Sequence, residues 1–494
     1  MIKAMKKLTL IFVVLSVLIT GAAQSSYDRS FQDQMVVMQC INDPVTQTGI
    51  MAEKLLELSK IPGLSIAVSK KGKIVYAEGF GYADLANKIR VSPETQFRTA
   101  SVAKVITATA LGKMIQDGQL DLKAGIGKYL PALPQEYQQI TPLQLAGHLS
   151  GMPHYADDDK IENRFYQSTE EALKVFLHQK LISPPGTKYS YSTHGFTLLS
   201  AVMEKASGMN YLDYLNKELF KPLNMNNTGP DLRKHQHYTH LARLYDFKDD
   251  TLLEESNPED VSYKWAGGGL ISTPSDLLKL TFAYANGFLK SAVTGQMFSH
   301  QHLSSGEEQQ IGIGWRFSKD VFGRNVIEHA GGMEGARTVV CMFPDQEVAV
   351  SIMVNASWPS SIEETAHLFA ELFMDDQVPH TIPDFETKVM TSTLSKDKTL
   401  DGTGKLKFKG NIGNLTLSDG KHYTIIPLNR AGVYGLVSKE GIYYLEMQPT
   451  DDQGTNKRGA WKQVSGKAIA YGQQQKESAI DKAPFLTFTS SSVR

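Results

Sequence analysis

Ser101-Val102-Ala103-Lys104 sets a hydroxyl three residues ahead of an amine, and the apolar residues behind it, Val105, Ala108, Leu111 and Met114 or Ile115, recur at helical spacing as far as Gly118. This pattern predicts a buried amphipathic helix opening near Ser101. Positions i and i+3 share a helix face, so the Lys104 amine can reach the Ser101 hydroxyl. Serine is a weak nucleophile until its proton is taken, and a lysine whose pKa is lowered by burial and nearby cations can take it. Backbone N–H groups at a helix start add a place for an oxyanion. The plainer reading of the same four residues is a helix cap with a solvated lysine in the first turn. A second such pair, Ser395-Lys396-Asp397-Lys398, has no apolar helix behind it and reads as coincidence.

Working outward, Pro62-Gly63-Leu64-Ser65-Ile66-Ala67-Val68 and Ile74-Val75-Tyr76 read as a β-hairpin turning at Lys71-Gly72. Thr95-Gln96-Phe97-Arg98 is a strand-like lead into the serine. Mixed helix and strand patterns continue to a helix expected over 361–374, with Ile362, Ala366, Phe369, Leu372 and Phe373 apolar. From Lys405 the texture turns to alternation: Leu406 and Phe408, Leu415 and Leu417, then 423–426, 433–437 and 442–447, with turns at Ser418-Asp419-Gly420 and Lys439-Glu440-Gly441. That is a small β-domain made of hairpins. The expected organisation is a signal peptide over 1–23, a main domain over 24–376, a linker over 377–404 and a β-domain over 405–494.

The chain of 494 residues is long enough for two or three domains, and its 41% hydrophobic and 21% charged residues are those of a globular protein. A net charge of −1 gives no basic field to draw it to nucleic acid or anionic lipid. Lys3, Lys6 and Lys7 precede an apolar run from Leu8 to Thr20 and the small residues Gly21-Ala22-Ala23. This reads as a cleavable export signal, too short for a comfortable membrane span, and points to a periplasmic or secreted protein. An uncleaved anchor is the alternative. No cysteine follows the run to take a lipid. Cys40 and Cys341 could form one disulfide in an oxidising compartment or remain two buried thiols. His235, His237 and His240 lie together, but without patterned acidic partners they give no metal site.

Three further stretches join the Ser101 block: Ile140-Thr141-Pro142-Leu143-Gln144-Leu145-Ala146-Gly147-His148-Leu149-Ser150-Gly151-Met152-Pro153, then Pro185-Gly186-Thr187-Lys188-Tyr189-Ser190-Tyr191-Ser192-Thr193-His194-Gly195-Phe196, then His329-Ala330-Gly331-Gly332-Met333-Glu334-Gly335. In this order and spacing they resemble the serine β-lactamase and penicillin-binding superfamily on its class C branch, which also holds family VIII esterases, D-aminopeptidases and mitochondrial β-lactamase-like proteases. The resemblance runs from about Pro62 to Met374, includes Ala266-Gly267-Gly268-Gly269 through Asp276, and leaves out the C-terminal β-domain. It implies an α+β fold: an antiparallel sheet flanked by helices, with an all-helical subdomain and the active serine between the two parts.

The resemblance implies Ser101 as nucleophile, Lys104 as its proton acceptor, and Tyr191 as general base and acid held between two cations. It implies an oxyanion hole from the N–H groups of Ser101 and Gly332, and a substrate-binding strand at His329-Ala330-Gly331. No metal or organic cofactor is implied, and the partner is a small ester, peptide or β-lactam. Each residue also has an ordinary reading: Tyr191 as packed aromatic, His329 as turn residue, His148 as loop-shaping, Ser272 and Asp276 as the cap of a helix near Pro274. Two positions depart from the family. Thr193 stands where asparagine is frequent, and His329 replaces a lysine whose charge holds a substrate carboxylate; a histidine is mostly neutral at pH 7. Both favour esters or peptides over β-lactams. The rival readings are a D,D-carboxypeptidase or penicillin-binding protein with a long-lived acyl-enzyme, and a non-catalytic ligand-binding or sensor module.

Overall fold

A computed structural model describes residues 43–248, 251–255, 257–320, 322–358, 362–375, 385–392, 402–409, 412–428, 433–439, 441–449, 464–469 and 484–490. The signal segment 1–23, Cys40 and Ser395–Lys398 lie outside the described residues. Of two compact units, Met1–Ile50 is described from residue 43, as the opening of helix α1 (Pro44–Ser59), and Met51–Arg494 holds everything that follows.

The expected hairpin is strand β1 (Gly63–Lys70) paired antiparallel with β2 (Lys73–Asp84). Lys71 and Gly72 between them both have positive φ, 51° and 70°, the two-residue turn that matches strand twist. Two short strands follow, β3 (Ile89–Arg90) and β4 (Phe97–Arg98). Helix α2 (Ala103–Gln116) then runs to Gly118, which closes it at φ 70°. It is not amphipathic: every residue from Ala103 to Gly112 is buried, including Lys104, Thr107 and Thr109. Burial of these polar side chains is tolerated because each is bonded; Thr107 Oγ1 lies 2.7 Å from Tyr211 Oη, and Thr109 Oγ1 lies 2.6 Å from Tyr284 Oη.

Around α2 gathers a helical subdomain of short helices, Gln135–Gln138, Pro142–Ala146, Thr169–Leu173 and Tyr211–Leu215, with the longer α3 (Thr193–Ser207). Strand β5 (Leu270–Ser272) pairs with β4, and α4 (Pro274–Ala285) follows. The cap of α4 is Thr273, whose hydroxyl accepts from Asp276 N, whereas Ser272 bonds Thr228.

The main sheet is completed by β6 (Arg316–Lys319), β7 (Asn325–Met333), β8 (Ala336–Phe343) and β9 (Val348–Val354). Its order is β6-β7-β8-β9-β1-β2-β3, antiparallel throughout. β9 is buried end to end, and β1 all but its last residue, as for strands covered on both faces. Ile66, Val68, Val339 and Ile352 are fully buried, each contributing about 1.5–3 kcal/mol relative to exposure. Cys341 is a buried free thiol on β8. Helix α5 (Ile362–Glu371) covers the face that carries Cys341 and Glu328, and His367 on it bonds Glu328 at 2.8 Å.

Eight strands then close a barrel: β10 (Phe385–Ser392), β11 (Gly402–Lys409), β12 (Ile412–Leu417), β13 (His422–Pro427), β14 (Val433–Ser438), β15 (Gly441–Pro449), β16 (Val464–Ile469) and β17 (Pro484–Ser490). β10 falls inside 377–404, the stretch the sequence presents as a linker. It is polar and weakly patterned, and it becomes a strand by pairing with β11 on one side and β17 on the other. The barrel meets the rest through Trp358 Nε1, which donates to Lys439 O at 2.8 Å, and Ile442 N, which donates to Thr365 Oγ1 at 3.0 Å. No helix among the described residues is long and apolar enough to cross a membrane.

Candidate active site

Ser101 sits in a single 3₁₀ turn, Ala100–Val102, between β4 and α2. The residue before it, Ala100, has φ 46°, a conformation that L-residues adopt at a cost in energy. Neighbours hold this turn in place. Thr99 N and Thr99 Oγ1 both donate to Leu270 O at 2.9 Å, and Thr338 Oγ1 donates to Arg98 O at 2.9 Å. The cap reading of Ser101 fails: the N-cap of α2 is Val102, with no side-chain cap bond. Ser101 stays partly exposed.

Lys104 Nζ donates to Ser101 Oγ at 3.3 Å, Thr193 Oγ1 at 3.1 Å and Gly267 O at 2.6 Å. Burial pushes its pKa down to about 7, Arg316 and Lys264 push the same way, and Tyr155 opposes them. A neutral amine has two N–H donors and one lone pair. With Gly267 and Thr193 accepting, the lone pair is left for the serine proton. Gly267 must lack a side chain here, since a Cβ would stand 2.7 Å from Thr193 Cγ2.

Tyr191 and Thr193 flank Ser192, the N-cap of α3, whose hydroxyl accepts from Gly195 N at 2.9 Å and donates to Pro153 O at 2.6 Å. Two cations lie over the Tyr191 ring, Lys104 Nζ at 4.8 Å and Arg316 Cζ at 5.3 Å from its centroid. Its hydroxyl is buried and makes no well-formed hydrogen bond. Burial raises its pKa, while Arg316 and Ser101 hold it down.

β7 brings His329 and Gly331 to the same face of the sheet, two residues apart. A Cβ on Gly331 would lie 2.6 Å from Ser101 N, so the strand reaches the serine's backbone only because that side chain is missing. Gly332 is exposed beside it, opposite Arg337. His329 is buried, and its pKa is lowered well below the usual value by burial, Arg316, Lys104 and His148.

The fold thus gathers Ser101, Lys104, Tyr191, Thr193, His329, Gly331 and Gly332 from three separate stretches. Sequence reasoning missed Arg316 on β6, the second cation over Tyr191, because an arginine within a strand has no local marker. It also undervalued His148. That residue shapes its loop, with φ 59°, yet its ring lies 4.3 Å from the Tyr191 ring, centroid to centroid. His154, whose Nδ1 accepts from Thr193 N at 3.2 Å, has its pKa lowered to about 4, by burial first. His235 lies apart from this group, bonded to Asp260 at 2.6 Å.

Comparison with known proteins shows the family and the fold. The family described as Beta-lactamase matches residues 51–371. Human "Serine beta-lactamase-like protein LACTB, mitochondrial" is 30% identical over 380 residues, spanning 58% of this chain and 69% of that protein. "Penicillin-binding protein 4*" of Bacillus subtilis (strain 168) is 25% identical, over 65% of this chain and 74% of its own length. An octameric penicillin-binding protein homologue from Pyrococcus abyssi superposes with a TM-score of 0.55 at 20% identity, covering 89% of this chain and 99% of that one.

Proposed function

Since this chain belongs to the beta-lactamase family, on the class C-like branch that includes penicillin-binding proteins, we propose that it is an exported serine hydrolase that passes an acyl group from small esters or peptides through Ser101 to water. The reading is carried by the Lys104 amine, buried 3.3 Å from the Ser101 hydroxyl with a pKa of about 7. Near neutral pH about half of these amines are free to take the serine proton. Ser101 Oγ attacks the carbonyl carbon, and the N–H groups of Ser101 and Gly332 receive the oxyanion. Tyr191 gives its proton to the leaving group and later draws one from the attacking water. Thr193 holds the Lys104 amine in line. Export rests on the basic start, apolar run and small-residue exit of 1–23, and the hydrolase domain is assigned to 24–376.

One observation favours substrates with a free carboxylate, as in D,D-carboxypeptidase chemistry. Arg316 restores at β6 the fixed charge that His329 lacks, and its buried Nε has no partner. Peptides ending in a D-amino acid fit this arrangement, with β-lactam hydrolysis as a weak side activity.

The test is a serine-reactive fluorophosphonate, followed by mass spectrometry of the modified peptide and a panel of esters, D-peptides and a β-lactam. The label should sit on Ser101, and Ser101→Ala should lose both label and hydrolysis with the fold intact. A fully active Ser101→Ala variant overturns the proposal.

A further inference from the structure

His329 Nδ1 lies 2.8 Å from Ala330 O. A carbonyl oxygen only accepts, so Nδ1 carries the proton. Because the ring is neutral, Nε2 is then a bare lone pair, and it is buried with no partner. His148 has the opposite tautomer: its Nδ1 accepts from Ser192 N at 3.1 Å, so its own buried, unpartnered Nε2 carries hydrogen. The Tyr191 and His329 ring centroids are 6.3 Å apart, and no hydrogen bond joins the two side chains. The site therefore holds a phenol able to give a proton and, close to it, an imidazole nitrogen able only to accept one. A lysine at position 329 would offer three donors and no acceptor. The histidine inverts what this position asks of a ligand.

We propose that His329 Nε2 accepts a hydrogen bond from the leaving-group nitrogen of the substrate, which makes the site selective for amide over ester bonds. The inference rests on the serine-hydrolase reading above and narrows its substrate class. An amide nitrogen answers both groups at once. In the tetrahedral adduct the C–N bond breaks with its electron pair staying on nitrogen, and that pair takes the Tyr191 proton. The N–H already present points at His329 Nε2 and stays on nitrogen throughout. The amine leaves, and His329 neither gains nor loses a proton. An ester oxygen can take the Tyr191 proton but has no hydrogen for His329, so the lone pair stays buried and unpaired. An unpaired buried acceptor of this kind discriminates by roughly tenfold to hundredfold.

The experiment pairs a peptide ending in two D-amino acids with the depsipeptide in which oxygen replaces the scissile N–H. The ratio of their kcat/KM values is measured in the wild-type chain and in His329→Lys and His329→Phe. The ratio of amide to ester should fall about tenfold to hundredfold in both variants, with the ester rate changed less than the amide rate. An unchanged ratio overturns the inference and leaves the Ser101 mechanism standing. Failure of that mechanism would show separately, as loss of fluorophosphonate labelling at Ser101. Independently of activity or variant folding, 15N NMR of histidine-labelled wild-type protein should find neutral His329 with hydrogen on Nδ1 between pH 6 and 8. Hydrogen on Nε2 would also overturn it.

Discussion

Moving the pH through neutrality should switch acylation on, and the size of the change follows from Lys104. With its pKa near 7, about a tenth of the amines are neutral at pH 6 and about nine tenths at pH 8, so kcat/KM should rise roughly tenfold across that interval. The neighbouring histidines do not blur this limb. His154 titrates near 4, and His148 and His329 are held well below the usual histidine value. Lys264 is one of the cations that depress Lys104, and its own ammonium is 2.8 Å from Glu259. Lys264→Met removes that repulsion and exposes Glu259, so the limb should move to higher pH. Burial, the larger cause, remains, and the limb should stay well short of 10.5. The assay is initial velocity on a p-nitrophenyl ester far below KM, read at the isosbestic wavelength, with the Ser101→Ala rate subtracted. A flat or falling profile between pH 6 and 8, or a limb that moves down in Lys264→Met, would refute the reasoning.

Two further outcomes follow from the same geometry. Gly331→Ala should lose activity about a hundredfold and destabilise the fold by roughly 1–3 kcal/mol, because its Cβ meets Ser101 N at 2.6 Å; kcat/KM and thermal melting check both. Lys104→Met should be inactive yet more stable. Between pH 7 and 10.5 the unfolded lysine binds a proton that the folded one does not, so the penalty for burying it is full below pH 7 and fades as pH rises. The gain should reach at most about 5 kcal/mol near pH 6, less the hydrogen bonds lost, and vanish above pH 10.5, as urea melts across pH would show.

Much of this was legible beforehand where the signal is local. The alternation of Leu64, Ile66 and Val68 and a two-residue turn give the first hairpin, and the motif residues stay in order along the chain. What was hidden depends on distant partners. Helix α2 looks amphipathic because Thr107, Thr109 and Lys104 look polar; they are buried because Tyr211, Tyr284, Thr193 and Gly267 supply partners 89 to 175 residues further on. Position 329 carries no fixed charge, and the second cation over Tyr191 comes from one strand over, at Arg316 opposite Glu328, where only the sheet register places it. β10 has little pattern of its own and is defined by the strands that flank it.

The turn that bears Ser101 is clamped by Leu270 and Thr338, the second of these 240 residues from its partner Arg98. Contacts of such sequence separation form late. A growing polypeptide therefore carries all the reactive groups of its N-terminal half without the means to use them. Hydrolysis begins only when the last strand of the sheet, ending at Val354, has been laid in.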